Sequence, residues 1–156
     1  MSSSLKISIV GAGQIGSRHL QALANIKGPA LIQLVDPSQS ALRIACQRFN
    51  SVWKEDSNRI ILQTFNAIKD LDENQDVVIV STDSVVRRDV ICELIQVKNV
   101  KAMIFEKVLF QTEKEYFEIG SLLKAQKIPA WVNCILRATD FFRGLKASLD
   151  RSESIR

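Results

Sequence analysis

The chain is poor in the residues that build metal centres and covalent cross-links. It has one histidine, His19, and three cysteines, Cys46, Cys92 and Cys134, which are widely separated and form no C-x-x-C pair. A structural zinc site needs about four such ligands at short spacings, so no metal is expected. An odd number of distant cysteines likewise argues against a disulfide framework. It suits three reduced, mostly buried thiols in a cytoplasmic protein. Six glycines and three prolines are too few for a collagen-like or low-complexity chain. No apolar run approaches the roughly 18 residues of a membrane span; the densest, Val77 to Val80, is the length of a short buried strand. The apolar stretch within Met1 to Val10 is too short for a signal-peptide core, and no lipidation or retention motif occurs. Charge of one sign is also scarce. Twenty-one basic against 17 acidic residues leave +4, with the basic residues scattered rather than clustered. Such a pattern gives no track for a phosphate backbone, so no nucleic-acid partner is expected.

What is present is ordinary globular matter: 46% hydrophobic and 24% charged residues in 156. That apolar fraction can offset the entropy of ordering the chain, and the length suits one domain. The pattern alternates short β-rich runs with amphipathic helical stretches. Expected strands are Leu5 to Val10, Ala30 to Val35, Ile60 to Phe65, Asp76 to Thr82, Ala102 to Glu106 and Ala130 to Ile135. Between them, Gln14 to Asn25 carries Ile15, His19, Leu20 and Leu23 on one side of a helix. Leu42, Ala45, Cys46 and Phe49 recur at i, i+3, i+4 and i+7. The polar stretch Ser51 to Arg59 has no clear period, and a short helical turn falls near Ala67 to Leu71. Val86, Val90, Ile91, Leu94 and Ile95 mark a third helix. Thr112 and Glu115 have the spacing of a capping box that opens a fourth, with Tyr116, Ile119 and Leu123 inward. A last helix, about Thr139 to Leu149, groups Phe142, Leu145 and Leu149.

Strands alternating with helices of 10–15 residues predict βαβ units and a parallel sheet, with right-handed crossovers that bury both faces. Six strands in two groups of three predict a doubly wound α/β (Rossmann) fold with strand order 3-2-1-4-5-6 and helices on both faces. One residue set carries chemistry in this frame. Gly11-Ala12-Gly13-Gln14-Ile15-Gly16 is G-x-G-x-x-G, follows the first strand at once and opens the first helix. Asp36 ends the second strand, 20 residues beyond Gly16. Each position has a physical task. Gly11 allows the tight turn, Gly13 lets backbone approach a pyrophosphate, and Gly16 lets helix pack on strand. The free N–H groups around Gln14 and Ile15, with the helix dipole behind them, favour an anion. Asp36 can accept hydrogen bonds from both ribose hydroxyls and repels a 2′-phosphate. Pro37, Ser38 and Gln39 offer no cation in compensation, so NAD is expected as cofactor rather than NADP.

These residues, with three further segments, resemble the Gfo/Idh/MocA oxidoreductases over about Leu5 to Leu149, the family's N-terminal half. Gly11 to His19 is similar to the family's G-x-G-x-x-G-x-x-H opening. Val78 to Ser84, VIVSTDS, resembles its V-x-I-x-T-P-N segment, and Glu106-Lys107-Val108 stands in place of Glu-Lys-Pro. Val132 to Arg137 is similar to V-G-F-N-x-R. The resemblance implies that Thr82 lies beside the cofactor, that Glu106 neighbours the nicotinamide ribose, and that Lys107 is the catalytic lysine that contacts substrate. It also implies hydride exchange between nicotinamide and a secondary alcohol or ketone, with a carbohydrate-like small molecule such as a sugar, cyclitol or nucleotide sugar as substrate. A lysine at the carboxyl end of a parallel strand is where α/β sheets bind ligands, and its charge can stabilise a developing alkoxide. A lysine merely solvated and paired with Glu106 is the plain alternative.

Departures from the family pattern gather around the same rim. Val108 replaces a proline, as does Asp83. Arg87 stands where a histidine often follows, and Asn133 replaces a glycine. They point to a diverged substrate or to a member without turnover, so a non-catalytic module that binds or senses NAD(H) is the alternative function. The expected organisation is a cofactor domain over 1–150 and the start of a linker or tail over 151–156. The family's second half supplies most of the substrate pocket, an acid/base histidine and often the surface through which copies pair. A homo-oligomer is therefore an expectation for a longer chain only. His19 is expected to be a packed or hydrogen-bonded structural imidazole, Trp53 and Trp131 packing residues, and Arg87 and Arg88 the solvated first turn of a helix.

Overall fold

The computed structural model describes residues 4–54, 59–134 and 139–153. In chain order the elements are β1 (Leu5–Val10), α1 (Gln14–Leu23), β2 (Ala30–Val35), α2 (Gln39–Asn50), β3 (Ile60–Phe65), a 3-10 turn (Ile68–Asp70) and β4 (Asn74–Gln75). There follow β5 (Val77–Val80), α3 (Ser84–Val97), β6 (Asn99–Val100), β7 (Met103–Glu106), α4 (Glu113–Ala125), β8 (Ala130–Asn133) and α5 (Asp140–Glu153). The six main strands form one sheet in the order β3-β2-β1-β5-β7-β8, every pair parallel. This is the expected 3-2-1-4-5-6 arrangement. Two short strands were not expected. β4 and β6 pair with each other in parallel as a separate ribbon. Ile135, the expected end of the sixth strand, and Arg137 lie outside the described residues, as do residues 154–156 of the expected tail.

The strand alternation sends one set of side chains to each face. Ile7, Ile9, Ile32 and Leu34 pack with Leu20 of α1 and Leu42, Ala45 and Phe49 of α2. Val10, Val35, Val78, Val80, Met103 and Phe105 pack with Ile91 and Leu94 of α3 and with Ile119 and Leu123 of α4. Burial on both faces explains why Val77 to Val80 reads as an unbroken apolar run. Ser38 caps α2 by accepting from the Ala41 N–H. The Thr112–Glu115 capping box is formed: the Glu115 carboxylate accepts from the Thr112 N–H at 2.9 Å, and the Thr112 hydroxyl oxygen accepts from the Glu115 N–H at 3.4 Å.

One row on the second face is polar. Ser8, Gln33 and Gln63 lie side by side in register across β1, β2 and β3. Ser8 and Gln33 are wholly buried. Gln75, carried in by β4, accepts from the Ser8 hydroxyl at 2.6 Å and donates to the Gln33 oxygen at 2.9 Å. Gln33 donates in turn to Gln63 at 2.9 Å and to Asp72 at 3.2 Å. Burial without such partners would cost about 1–3 kcal/mol per group. The Asp72 carboxyl is held below the usual carboxylate range, first by its hydrogen bond from Lys6 and then by Gln33.

Candidate functional site

A parallel sheet places the carboxyl ends of all its strands on one side, so Gly11, Asp36, Thr82 and Lys107 leave it from the same edge. The chain runs outward from β1 through β2 to β3, then crosses back to β5 on the far side of β1. The crevice at that reversal is where open α/β sheets bind ligands. A cleft of about 600 Å³ lies there. Its floor is Val10, Gly11, Ser81 and Thr82, its polar end Asp36, Pro37 and Asn66, and its apolar wall Ala67, Ile68, Val86 and Val90. The volume falls within the range of small-molecule and cofactor sites.

The glycine turn forms for steric reasons. Gly11 has φ +99°, a conformation that side chains disfavour. At Gly16 an added Cβ would sit 1.8 Å from the Gly11 carbonyl oxygen and 2.7 Å from the Ser81 hydroxyl. Gly16 is therefore the point of closest approach between α1 and the turn. Gly13 faces the opposite situation. It lines the cleft, its backbone is extended, and an added Cβ would meet nothing within 4 Å. As N-cap of α1 it supplies no side-chain acceptor, so the first-turn N–H groups at Gln14 and Ile15 face outward without one. Ile15 is half-exposed.

Asp36 is fixed by backbone donors. One carboxylate oxygen accepts from the Ala12 N–H at 2.8 Å and the other from the Ser38 N–H at 2.8 Å. Each oxygen retains a lone pair for a hydroxyl donor. Asn66 donates to the Asp36 carbonyl and accepts from Gln39. Across the cleft the Thr82 hydroxyl oxygen is buried and has no hydrogen-bond partner among the described residues. An orphaned hydroxyl on the floor, an open approach at Gly13 and a fixed carboxylate at the far end fit an extended dinucleotide.

Glu106 and Lys107 do not line this cleft; they stand at the end of β7, beside β5. Glu106 is buried, and one of its oxygens takes two contacts at 2.6 Å, from the His19 Nε2 and from the Asn133 side-chain amide. His19 is thus a hydrogen-bonded imidazole spanning from α1 to β7. Lys107 is exposed and makes no hydrogen bond or ion pair with any described residue. The expected alternative of a Lys107–Glu106 pair is therefore not what forms, because Glu106 turns inward to His19. The Lys107–Val108 peptide bond is cis.

Two expectations need correction. Arg87 is not solvated; it is 2% exposed. Its guanidinium donates to the carbonyls of Glu106 at 2.6 Å, Val108 at 2.5 Å and Leu109 at 3.1 Å, and also to that of Thr82. Burial pushes its pKa below the usual arginine value, while Glu106 and Asp83 pull it back up. Arg88 is half-buried and paired with Glu118 and Asp89. Trp131 is not a packing residue in this structure but is 58% exposed on edge strand β8, whereas Trp53 stacks on Phe49 at 5.6 Å. A buried arginine in a helix's first turn has no periodicity signal; the departure at position 87 from the family's histidine was the available sign.

Burial pushes the thiols of Cys46 and Cys92 up, which favours their protonated form. No group of three or more His, Cys, Asp or Glu residues among the described residues could hold a metal ion. No helix among them is long and apolar enough to cross a membrane.

The family model for the Gfo/Idh/MocA oxidoreductases, NAD-binding Rossmann fold, matches residues 5–134. No curated protein matches the chain. Solved structures do. The myo-inositol 2-dehydrogenase from Lactobacillus plantarum is 20% identical, with a TM-score of 0.74 over 97% of this chain and 42% of that one. The scyllo-inositol dehydrogenase from Lactobacillus casei with bound NAD(H) and scyllo-inositol is 16% identical, with a TM-score of 0.74 over 97% and 42%. The WlbA dehydrogenase from Chromobacterium violaceum, in complex with NADH and UDP-GlcNAcA, is 18% identical, with a TM-score of 0.63 over 85% and 36%. At such identities the likeness is one of fold. This chain spans about two fifths of the length of those structures.

Proposed function

Because the chain belongs to the Gfo/Idh/MocA oxidoreductases, as their NAD-binding Rossmann fold, we propose that it is the cofactor-binding part of an NAD-dependent dehydrogenase acting on a secondary alcohol or ketone. The observation that carries this reading is the cleft at the sheet's reversal, with Gly13 open at its mouth, Asp36 fixed at one end and, on its floor, the Thr82 hydroxyl unpartnered among the described residues. In this reading Asp36 accepts from the adenosine ribose hydroxyls. The N–H groups of Gln14 and Ile15 hold the pyrophosphate, Gly11 and Gly16 shape the turn beneath it, and the Thr82 hydroxyl donates to the nicotinamide side.

NAD, when bound, would supply the hydride acceptor. The chain's own residues would do the rest. Glu106, held by His19 and Asn133, sets the boundary of the nicotinamide ribose. Lys107, exposed and without a partner among the described residues, is available to donate to a substrate oxygen and stabilise its developing charge. Neighbours in fold bind scyllo-inositol and UDP-GlcNAcA, which supports a polyhydroxylated substrate here. That substrate would be shared between Lys107 and a second domain beyond residues 1–150. Preference for NAD over NADP rests on Asp36, since Pro37, Ser38 and Gln39 bring no cation to a 2′-phosphate. Three free cysteines suit a cytoplasmic setting.

Titration of the chain with NADH and with NADPH, read by nicotinamide fluorescence, tests the proposal. Submillimolar NADH binding, with NADPH weaker, is expected. Absence of NADH binding up to millimolar concentration refutes the cofactor reading, and tighter NADPH binding refutes the role given to Asp36.

A further inference from the structure

We propose that Arg87 is the positioning residue of this site, the group that fixes the Lys107 segment against the strand that floors the cleft. The inference rests on the cofactor reading above for its functional meaning. Its geometric basis stands alone. The guanidinium lies at the start of α3, almost wholly buried. One Nη donates its two hydrogens to the carbonyls of Glu106 and Val108, with the more distant Leu109 carbonyl sharing one of them, and the other Nη donates to that of Thr82. Thr82 follows β5 and lines the cleft; Glu106 ends β7. One side chain therefore ties two strand ends and the loop between β7 and α4 into a single piece.

The detail that matters is which carbonyls are taken. Lys107 sits between Glu106 and Val108, and the carbonyl on each side of it is bound to the same guanidinium. The peptide that carries the lysine is clamped while the ammonium stays exposed. Thr82, Val108 and Leu109 lie outside the strands, and Glu106 is the last residue of β7, so the arginine binds carbonyls at and just beyond the sheet's carboxyl edge. The demand is for a rigid planar fork with several N–H groups. A lysine at position 87 would bring charge to the same place without that reach. A dinucleotide lying with its adenosine ribose at Asp36 and its pyrophosphate at Gly13 must extend its nicotinamide toward β5 and β7. Arg87 then governs that end of the site and leaves the adenosine end untouched.

The test compares two ligands and one ligand-free measurement. Arg87→Met and Arg87→Lys are titrated with NADH and with ADP-ribose, which lacks the nicotinamide. Backbone 15N relaxation is followed without ligand. The expected result is a tenfold or greater loss of NADH affinity in both variants, with ADP-ribose affinity within twofold of the parent. Order parameters at residues 107–109 are expected to fall from about 0.85 to below about 0.6, with those of β1 unchanged. Arg87→Lys keeps a cation in place, so it serves if Arg87→Met does not fold. Equal losses for the two ligands, or equal loosening of β1 and the loop, would reduce Arg87 to a general stabilising residue and overturn the proposal. So would unchanged order at the loop. If the parent chain binds neither ligand, the cofactor reading fails by itself, and the relaxation data still decide whether Arg87 clamps the loop.

Discussion

Two glycines three residues apart should respond to the same substitution in opposite ways. At Gly16 an alanine Cβ would stand 1.8 Å from the Gly11 carbonyl oxygen, more than about 1 Å inside van der Waals contact. The obstacle is backbone, not a flexible side chain. Gly11 cannot retreat, because a Cβ on Gly11 itself would already lie 3.0 Å from Ser81 and Thr82 backbone atoms. Helix α1 must therefore lift from the turn, which disturbs Leu20 in the core beneath it. Overpacking usually costs about 1–3 kcal/mol, and a backbone-on-backbone clash belongs at or above the top of that range. For a chain of this size about 3 kcal/mol lowers Tm by roughly 6–12 °C. Gly13→Ala meets nothing within 4 Å and keeps a conformation that alanine accepts, so Tm should move by less than about 2 °C. Its methyl instead occupies the mouth of the cleft, where loss of a single charge-assisted hydrogen bond, about 1.5–3 kcal/mol, weakens NADH binding roughly ten- to hundredfold. Thermal unfolding and NADH titration of the two variants decide the matter. A Gly16→Ala protein that melts with the parent refutes the packing argument. A Gly13→Ala protein that binds NADH normally refutes the placement of the pyrophosphate.

Asp36→Ser removes the charge facing a 2′-phosphate. At about 5 Å and an effective dielectric near 20, a unit pair interacts by about 3 kcal/mol, so the NADPH-to-NADH affinity ratio should rise at least tenfold; a constant ratio means that discrimination lies elsewhere. Thr112→Ala breaks the capping box at the start of α4 and should cost about 1 kcal/mol, a fall in Tm of roughly 2–4 °C, with NADH affinity unchanged. Lys6→Met tests the Asp72 carboxyl, whose folded pKa lies below its unfolded value because Lys6 donates to it at 2.6 Å. A depressed acid stabilises the fold above the unfolded pKa, near 4, and loses that contribution as pH falls through the folded value. The stability gap between parent and variant, measured by urea unfolding, should be full above about pH 5 and shrink below about pH 4. A gap that stays level across that range counts against the ion pair.

Much of the fold is visible in the chain because its strands are short apolar runs, each followed by a helix with a clear period. The glycine turn and Asp36 are visible for a different reason: the spacing itself encodes strand, turn, helix and second strand. The sequence reading missed features set by partners far apart in the chain. His19 meets Glu106 across 87 positions, and Arg87 meets carbonyls, which any residue possesses. β4 and β6 have two residues each, too few to carry a period. Trp131 shows the converse limit. An aromatic residue in a strand pattern promises packing, yet on edge strand β8 it stands exposed.

The polar set of Ser8, Gln33 and Gln75, buried together, with Gln63 exposed at its β3 end, bears on how β2 finds its place. Its neighbours are apolar on both faces, so greasy residues alone would tolerate a strand shifted by one position nearly as well as the correct one. A shift by one turns every side chain to the opposite face. Gln33 would then enter the layer of Leu20 and Phe49 with no partner, and Leu34 would be set against Asp72. A buried amide stranded without partners costs about 1–3 kcal/mol, a large part of the stability of a typical domain. The four polar side chains thus act as a combination lock: they close in one alignment of the sheet and bring Gly11, Asp36 and Thr82 level at its edge.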